Sequence, residues 1–257
     1  MSVNTYLQDL GSSLVLSSSE KSSISTSVNT IKSRLTDYFG TNVTEKKLYG
    51  SYFRDTILPR KADEDSDVDL MVVFSNPKGY IPQTFLNKLK DFAEHYYSRS
   101  EIYQSSPTIV LELCHIKFEL TPAYTTYRAY NIPKNGSEWM YTDPDGFYSK
   151  LTGCNKNNNY KVKPVVRILK HWNIQKNYRD LASYELEEML ANELMYAYLH
   201  CTSYTDYLRF ALNKIKYATN YTRVSKAINC LNESLRLEKC GYSYLAVDNI
   251  KKVFTEV

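Results

Sequence analysis

Asp67 and Asp69 stand two residues apart in Asp67-Val-Asp-Leu-Met-Val-Val-Phe74, an apolar, β-branched run that predicts a strand. Strand side chains alternate between faces, so both carboxylates leave the same one. Adjacent like charges repel unless a cation lies between them, and oxygen-only ligands favour magnesium or manganese. A third acid, Glu119, sits in the apolar run Ile116-Lys-Phe-Glu-Leu120, where a carboxylate lacking a partner or cation is costly. Two divalent ions roughly 3.5–4 Å apart, held by such acids, activate an attacking hydroxyl and stabilise a leaving pyrophosphate. Phosphoryl transfer needs little beyond positioning and charge compensation. Taken alone, Asp-x-Asp fits two solvated acids at a strand end equally well.

The upstream sequence shifts that balance. Gly50-Ser51 follows a strand-like Leu48-Tyr49 and opens a short predicted helix over Tyr52–Thr56, with fifteen residues between Ser51 and Asp67. Glycine lets backbone approach a phosphate, and the serine hydroxyl with nearby N–H groups can bind its oxygens.

The stretch LYGSYFRDTILPRKADEDSDVDLMVVF (48–74) resembles the signature of the DNA polymerase beta-like nucleotidyltransferase superfamily. Within it the sequence is most similar to the bacterial group related to cyclic GMP-AMP synthase, the CD-NTases. Those enzymes carry GSYxRxT before S-D-V-D and a third acid in a strand leading to Pro-Ala, matched by Ile116-Lys-Phe-Glu-Leu-Thr-Pro-Ala123. Ile132-Pro133, Trp139 and Asp143-Pro144 extend the likeness, which covers about residues 45–200. Two departures stand out: Glu119 replaces the commoner aspartate, and the segment from Ser51 to Asp67 runs slightly long.

The resemblance implies a two-lobed α+β fold. A mixed β-sheet core with helices (1–160) would precede an all-helical C-terminal lobe (161–257), with the active site in the cleft between. It implies Asp67, Asp69 and Glu119 as the catalytic, metal-binding acids, holding two Mg²⁺ (or Mn²⁺) ions. Gly50, Ser51, Lys170 (in Leu169-Lys-His-Trp172) and Ser183 (in Ala182-Ser-Tyr-Glu-Leu186) would bind the nucleotide. NTPs, ATP among them, would be joined into a cyclic or short linear second messenger with release of pyrophosphate. The setting implied is bacterial antiphage defence, with a separately encoded effector activated by the product. A terminal nucleotidyltransferase acting on tRNA or another RNA shares this chemistry. A catalytically silent antitoxin or scaffold that keeps the nucleotide site is the alternative of another class, and the intact acid set counts against it.

The remaining sequence must position these groups. Ser17 and Glu20 have capping-box spacing, and Ile24, Val28, Ile31, Leu35 and Tyr38 then mark a helix stopped by Gly40. The strand from Asp67 is ended by Asn76-Pro77, and Phe85, Leu89, Phe92 and Tyr96 mark another helix. Thr108 to Leu113 and Ile116 to Leu120 read as strands closed by Pro122, with 124–160 mostly irregular and NKNNNY (155–160) an exposed loop or hinge. After Lys161 the period is helical, with Lys163, Arg167 and Lys170 forming a basic stripe opposite Val166, Leu169 and Trp172. Ser183 reads as a helix N-cap.

Among 257 residues, 43% hydrophobic and 23% charged, no apolar run approaches the roughly 20 residues that span a bilayer. With no secretory pattern in MSVNTYLQDL, a cytoplasmic protein without membrane contact is expected. A net charge of +4 suits a small anionic substrate better than a long nucleic acid. The five scattered cysteines read as reduced thiols, and the 24 tyrosines as chiefly packing residues.

Overall fold

The computed structural model describes residues 1–76, 78–127 and 129–257, so the expected stop at Pro77 lies outside them. The fold is α+β, and the chain forms two compact units. One comprises Leu16–Arg54 and Asp65–Gly146, the other Met1–Val15, Asp55–Glu64 and Phe147–Val257. The division differs from a single cut after residue 160. The first helix and the segment 55–64 carry apolar residues (Val3, Leu7, Leu10, Leu58) that are buried in the core of the helical unit.

The sheet unit begins with α2 (Ser18–Phe39), entered through the expected capping box of Ser17 and Glu20. Ile24, Val28, Ile31 and Leu35 are buried along one stripe; at its end Phe39 is buried and Tyr38 stays partly exposed. Strands β1 (Val43–Tyr49), β2 (Asp67–Phe74), β3 (Glu101–Ser105), β4 (Thr108–Leu113) and β5 (Ile116–Thr126) lie in the order β1-β2-β5-β4-β3. Among the described residues β2 with β5 is the one parallel pair; the crossover between them carries α4 (Pro82–Tyr96), β3 and β4. One face presents Val68, Leu70, Val72 and Phe74 with Phe118 and Leu120, all buried. Phe74 packs against Phe39 of α2 and Phe85 of α4, with ring centroids 5.1 and 4.8 Å away. The opposite face carries the acids. A smaller cluster, Met71, Val73 and Ala123 with Tyr49, Tyr130 and Ile132, is buried further along that face.

Pro122 does not close β5. The antiparallel partner β4 ends opposite Leu120, so at Pro122 only the β2 side is paired. A missing N–H is tolerated on such a free edge. β5 runs on to pair with β6 (Ala129–Pro133), which pairs with β7 (Trp139–Thr142). The expected irregular stretch therefore holds two strands and α5 (Pro144–Asn157).

The helical unit contains α1 (Val3–Ser13), most of α5, α6 (Val162–Lys176), α7 (Ser183–Glu193), α8 (Tyr204–Ile215), α9 (Tyr221–Lys239) and α10 (Ser243–Lys251). Gly11 of α1 lies against α6 so closely that a β-carbon there would come within 3.1 Å of Pro164 Cβ. The NKNNNY segment is only in part the expected exposed loop: Lys156, Asn157, Asn159 and Tyr160 are exposed, but Asn155 and Asn158 are buried. It ends α5, and Asn158 is fully buried. Its side-chain amide donates to the Cys154 and Leu194 carbonyls, while its oxygen accepts from the Tyr207 hydroxyl. Asparagine-rich sequence looks solvated, yet here the amides satisfy backbone groups that burial would leave unpaired. All five cysteines are unbridged.

Candidate active site

Strand β2 sets Asp67 and Asp69 on the face opposite Val68 and Leu70, and the parallel register places Lys117 beside Asp67 and Glu119 beside Asp69. All four side chains are half-buried while Val68, Leu70, Phe118 and Leu120 between them are fully covered. The two-residue period of two neighbouring strands thus aligns three carboxylates on one surface. On the far side of β2, Tyr49 of β1 pairs with Asp69.

Gly50 follows Tyr49 with φ +69°, opening the short helix α3 (Gly50–Phe53) rather than one beginning at Tyr52. A β-carbon at Gly50 would fall 1.6 Å from Asp69 Oδ2, so only glycine admits the carboxylate there. Ser51 comes next, half-buried. Gly50, Ser51, Asp67, Asp69 and Glu119 are thereby brought into one neighbourhood of the sheet unit.

Sequence reasoning missed the flank of this site. The Tyr49 and Thr121 hydroxyls share a 2.6 Å hydrogen bond on the same sheet face, beside the acids. Burial, then the Asp69 carboxylate, pushes the Tyr49 phenol far above its usual range; Glu119 and Asp67 add to this and the Thr121 bond opposes it. Tyr49 is therefore a neutral hydroxyl facing negative charge. Thr108 Oγ, whose one proton is shared between the Ser105 carbonyl at 3.0 Å and Glu119 Oε2 at 3.3 Å, stands beside Glu119, and Lys117 Nζ stands 3.9 Å from Asp67 Oδ2. Extending the strand period two residues either side of Glu119 would have found Lys117 and Thr121. Thr108 had no such signal.

Among the described residues, no three His, Cys, Asp or Glu side chains are gathered closely enough to hold an ion as they stand. The acids are aligned rather than converged. Their chemistry still fits a hard divalent cation: oxygen donors only, like charges on adjacent strands, and half-exposure that admits an ion.

Lys170 and Ser183 belong to the helical unit. The basic stripe of α6 is not solvated: Arg167 and Lys170 are buried together with Val166, Leu169 and Trp172. Arg167 donates to the carbonyls of Gly11 and Asp55. Lys170 Nζ donates to Glu187 Oε1 at 3.0 Å and to the Thr56 carbonyl at 3.2 Å. Ser183 is exposed and is the first residue of α7, whose N-cap is Ala182, one position earlier than expected. Glu187, the partner of Lys170, lies one turn along the same helix. Of the histidines, His171 is buried with Nε2 3.3 Å from Thr255 Oγ, and His115 Nε2 lies 3.0 Å from Ser27 Oγ. Tyr124 packs edge-on to Trp139, whereas Tyr127 and Tyr184 are exposed.

A Gly-Ser turn pressed on one of three aligned acids, carried by a mixed sheet, is the arrangement that the resemblance to nucleotidyltransferases led us to expect. Residues 1–155 match the SMODS family, the Second Messenger Oligonucleotide or Dinucleotide Synthetase domain, and the chain belongs to that family. It is accordingly a nucleotidyltransferase that synthesises oligonucleotide second messengers.

Solved structures share the fold. The Vibrio cholerae DncV cyclic AMP-GMP synthase, in complex with the linear intermediate 5′ pppA(3′,5′)pG, matches at TM-score 0.74 and 11% identity, covering 95% of this chain and 92% of that one. The Elizabethkingia meningoseptica CdnE cyclic dinucleotide synthase, with GTP and Apcpp, matches at TM-score 0.63 and 20% identity over 78% and 80%. The Escherichia coli MS115-1 CdnC:HORMA-deltaN complex matches at TM-score 0.67 and 12% identity over 94% and 93%. No curated protein matches the chain.

Proposed function

We propose that Asp67, Asp69 and Glu119 hold two divalent ions, Mg²⁺ or Mn²⁺, and that the chain uses them to join NTPs, ATP among them, into a cyclic or short linear oligonucleotide. The observation carrying this reading is the contact of Gly50 with Asp69 Oδ2, which leaves no room for a β-carbon beside an acid aligned with Glu119. Bound ions would lower the pKa of the acceptor hydroxyl and offset charge on the departing pyrophosphate. Glu119 would swing from Thr108 toward Asp69 to complete the ligand set and help remove the acceptor proton. Tyr49, neutral and tied to Thr121, keeps the flank of the acid face fixed.

Gly50 and Ser51 would receive phosphate oxygens through backbone N–H groups and the serine hydroxyl. Ser183 would do the same from the first turn of α7, where helix N–H groups are unsatisfied. Lys170, expected from the resemblance to bind the triphosphate itself, is occupied by Glu187 and the Thr56 carbonyl, and in this reading it acts behind Ser183 by fastening the turn that presents it. We further infer a cytoplasmic setting in bacterial antiphage defence, with the product activating a separately encoded effector. Among the described residues no helix is long and apolar enough to cross a membrane. The HORMA-deltaN complex of CdnC shows one relative with a protein partner.

The test is incubation with all four NTPs, each labelled in turn, with Mg²⁺ or Mn²⁺, followed by phosphatase. A phosphatase-resistant product, absent from Asp67→Ala/Asp69→Ala, is expected. Label appearing only in added RNA would overturn the synthesis of a small messenger.

A further inference from the structure

The acid face carries a cation of its own. Lys117 precedes Glu119 by two residues on β5, so both side chains rise from the same face, and its register partner on β2 is Asp67. Its ammonium is 3.9 Å from Asp67 Oδ2, and only 14% of the side chain is exposed. Across β4 its partner is Glu112, another acid. A lysine on an open sheet surface extends its ammonium into water; this one stays among carboxylates.

That placement matters most when no ion is bound. Three carboxylates on adjacent strands repel one another, and a positive charge beside Asp67 offsets part of that repulsion. A divalent cation arriving at Asp67 binds beside the ammonium. It must displace Lys117 from the carboxylate or bind against its charge. Among the described residues Glu119 meets no such cation there; its contact is the neutral Thr108 hydroxyl, shared with the Ser105 carbonyl, which fits with three aligned acids that do not converge.

Resting on the reading of Asp67, Asp69 and Glu119 as metal ligands, we propose that Lys117 is a tethered counterion. It stabilises the ion-free face, holds Asp67 in place and sets the affinity for divalent metal. Lys117 is a positioning residue by this account, acting through Asp67.

The experiment measures Mn²⁺ affinity of the full chain by the electron paramagnetic resonance of unbound Mn²⁺, beside thermal unfolding with and without the ion. Lys117→Met should bind Mn²⁺ about tenfold more tightly than the wild type. Its unfolding temperature should fall without Mn²⁺ and recover when saturated. Lys117→Arg, which keeps the charge, should stay within about twofold of the wild type. Unchanged or weaker Mn²⁺ binding in Lys117→Met would overturn the proposal, and Lys117→Gln provides the same comparison should the methionine variant fail to fold. Asp69→Asn separates the two levels. Lost Mn²⁺ binding there supports the metal reading, so a null result at Lys117 would then count against the counterion alone. Undiminished binding in Asp69→Asn would overturn both.

Discussion

Two regions of the molecule hold charge away from bulk water, and they treat it in opposite ways. On helix α6, Arg167 and Lys170 are buried, and each finds an acceptor: the Gly11 and Asp55 carbonyls for one, Glu187 and the Thr56 carbonyl for the other. On the acid face, like charges stand side by side in register, half-exposed, with Lys117 beside Asp67. Charge balanced inside the fold holds elements together. Charge aligned against its own sign waits for something to bind.

The sharpest break in that comparison is Asp69→Asn. On this account it lowers pyrophosphate release at least about a thousandfold, about 4 kcal/mol of transition-state stabilisation, while the unfolding temperature holds or rises because a repulsion is removed. Glu187→Ala should do the reverse. Leaving Lys170 buried without that carboxylate costs about 3–5 kcal/mol of stability, read by denaturant unfolding. Replacing both members, in Lys170→Met/Glu187→Leu, should recover most of that loss. Gly50→Ala falls between the two regions' behaviour. Its β-carbon must push the Asp69 carboxylate aside, so activity should drop about a hundredfold, as for a displacement of about 1 Å, with stability reduced by the positive φ.

The smallest effect is a pH dependence in the helical unit. Burial holds His171 below the ordinary histidine range, partly opposed by its hydrogen bonds. The folded value is thus below the unfolded one, near 6.5. The stability this neutral ring contributes is complete above that pH and is lost as pH falls through the folded value. Unfolding temperature should decline between pH 7 and 5, and His171→Gln should flatten the decline.

The acids were legible because strand alternation is strict: Asp67, Asp69 and Glu119 interrupt otherwise apolar runs at the period of two. Gly50 was legible as a turn, but its contact with Asp69 depends on the β1–β2 register, which no local pattern encodes. The burial of the basic stripe of α6 was not legible for a related reason. Helical period places Lys163, Arg167 and Lys170 together, yet whether that side meets water is decided by Gly11, the segment 55–64 and Glu187, far away in sequence. Strands β6 and β7 were missed because their residues are partly exposed on both faces and show no alternation. Pro122 looked like a strand end because its tolerance depends on where β4 stops.

The most direct test of the central claim is anomalous diffraction from crystals of the chain grown with Mn²⁺ and a non-hydrolysable ATP analogue. The account predicts Mn²⁺ peaks ligated by Asp67, Asp69 and Glu119, with Lys117 displaced from Asp67 and triphosphate oxygens at Gly50-Ser51. Mn²⁺ held elsewhere, with the three acids still aligned and Lys117 still against Asp67, would contradict it.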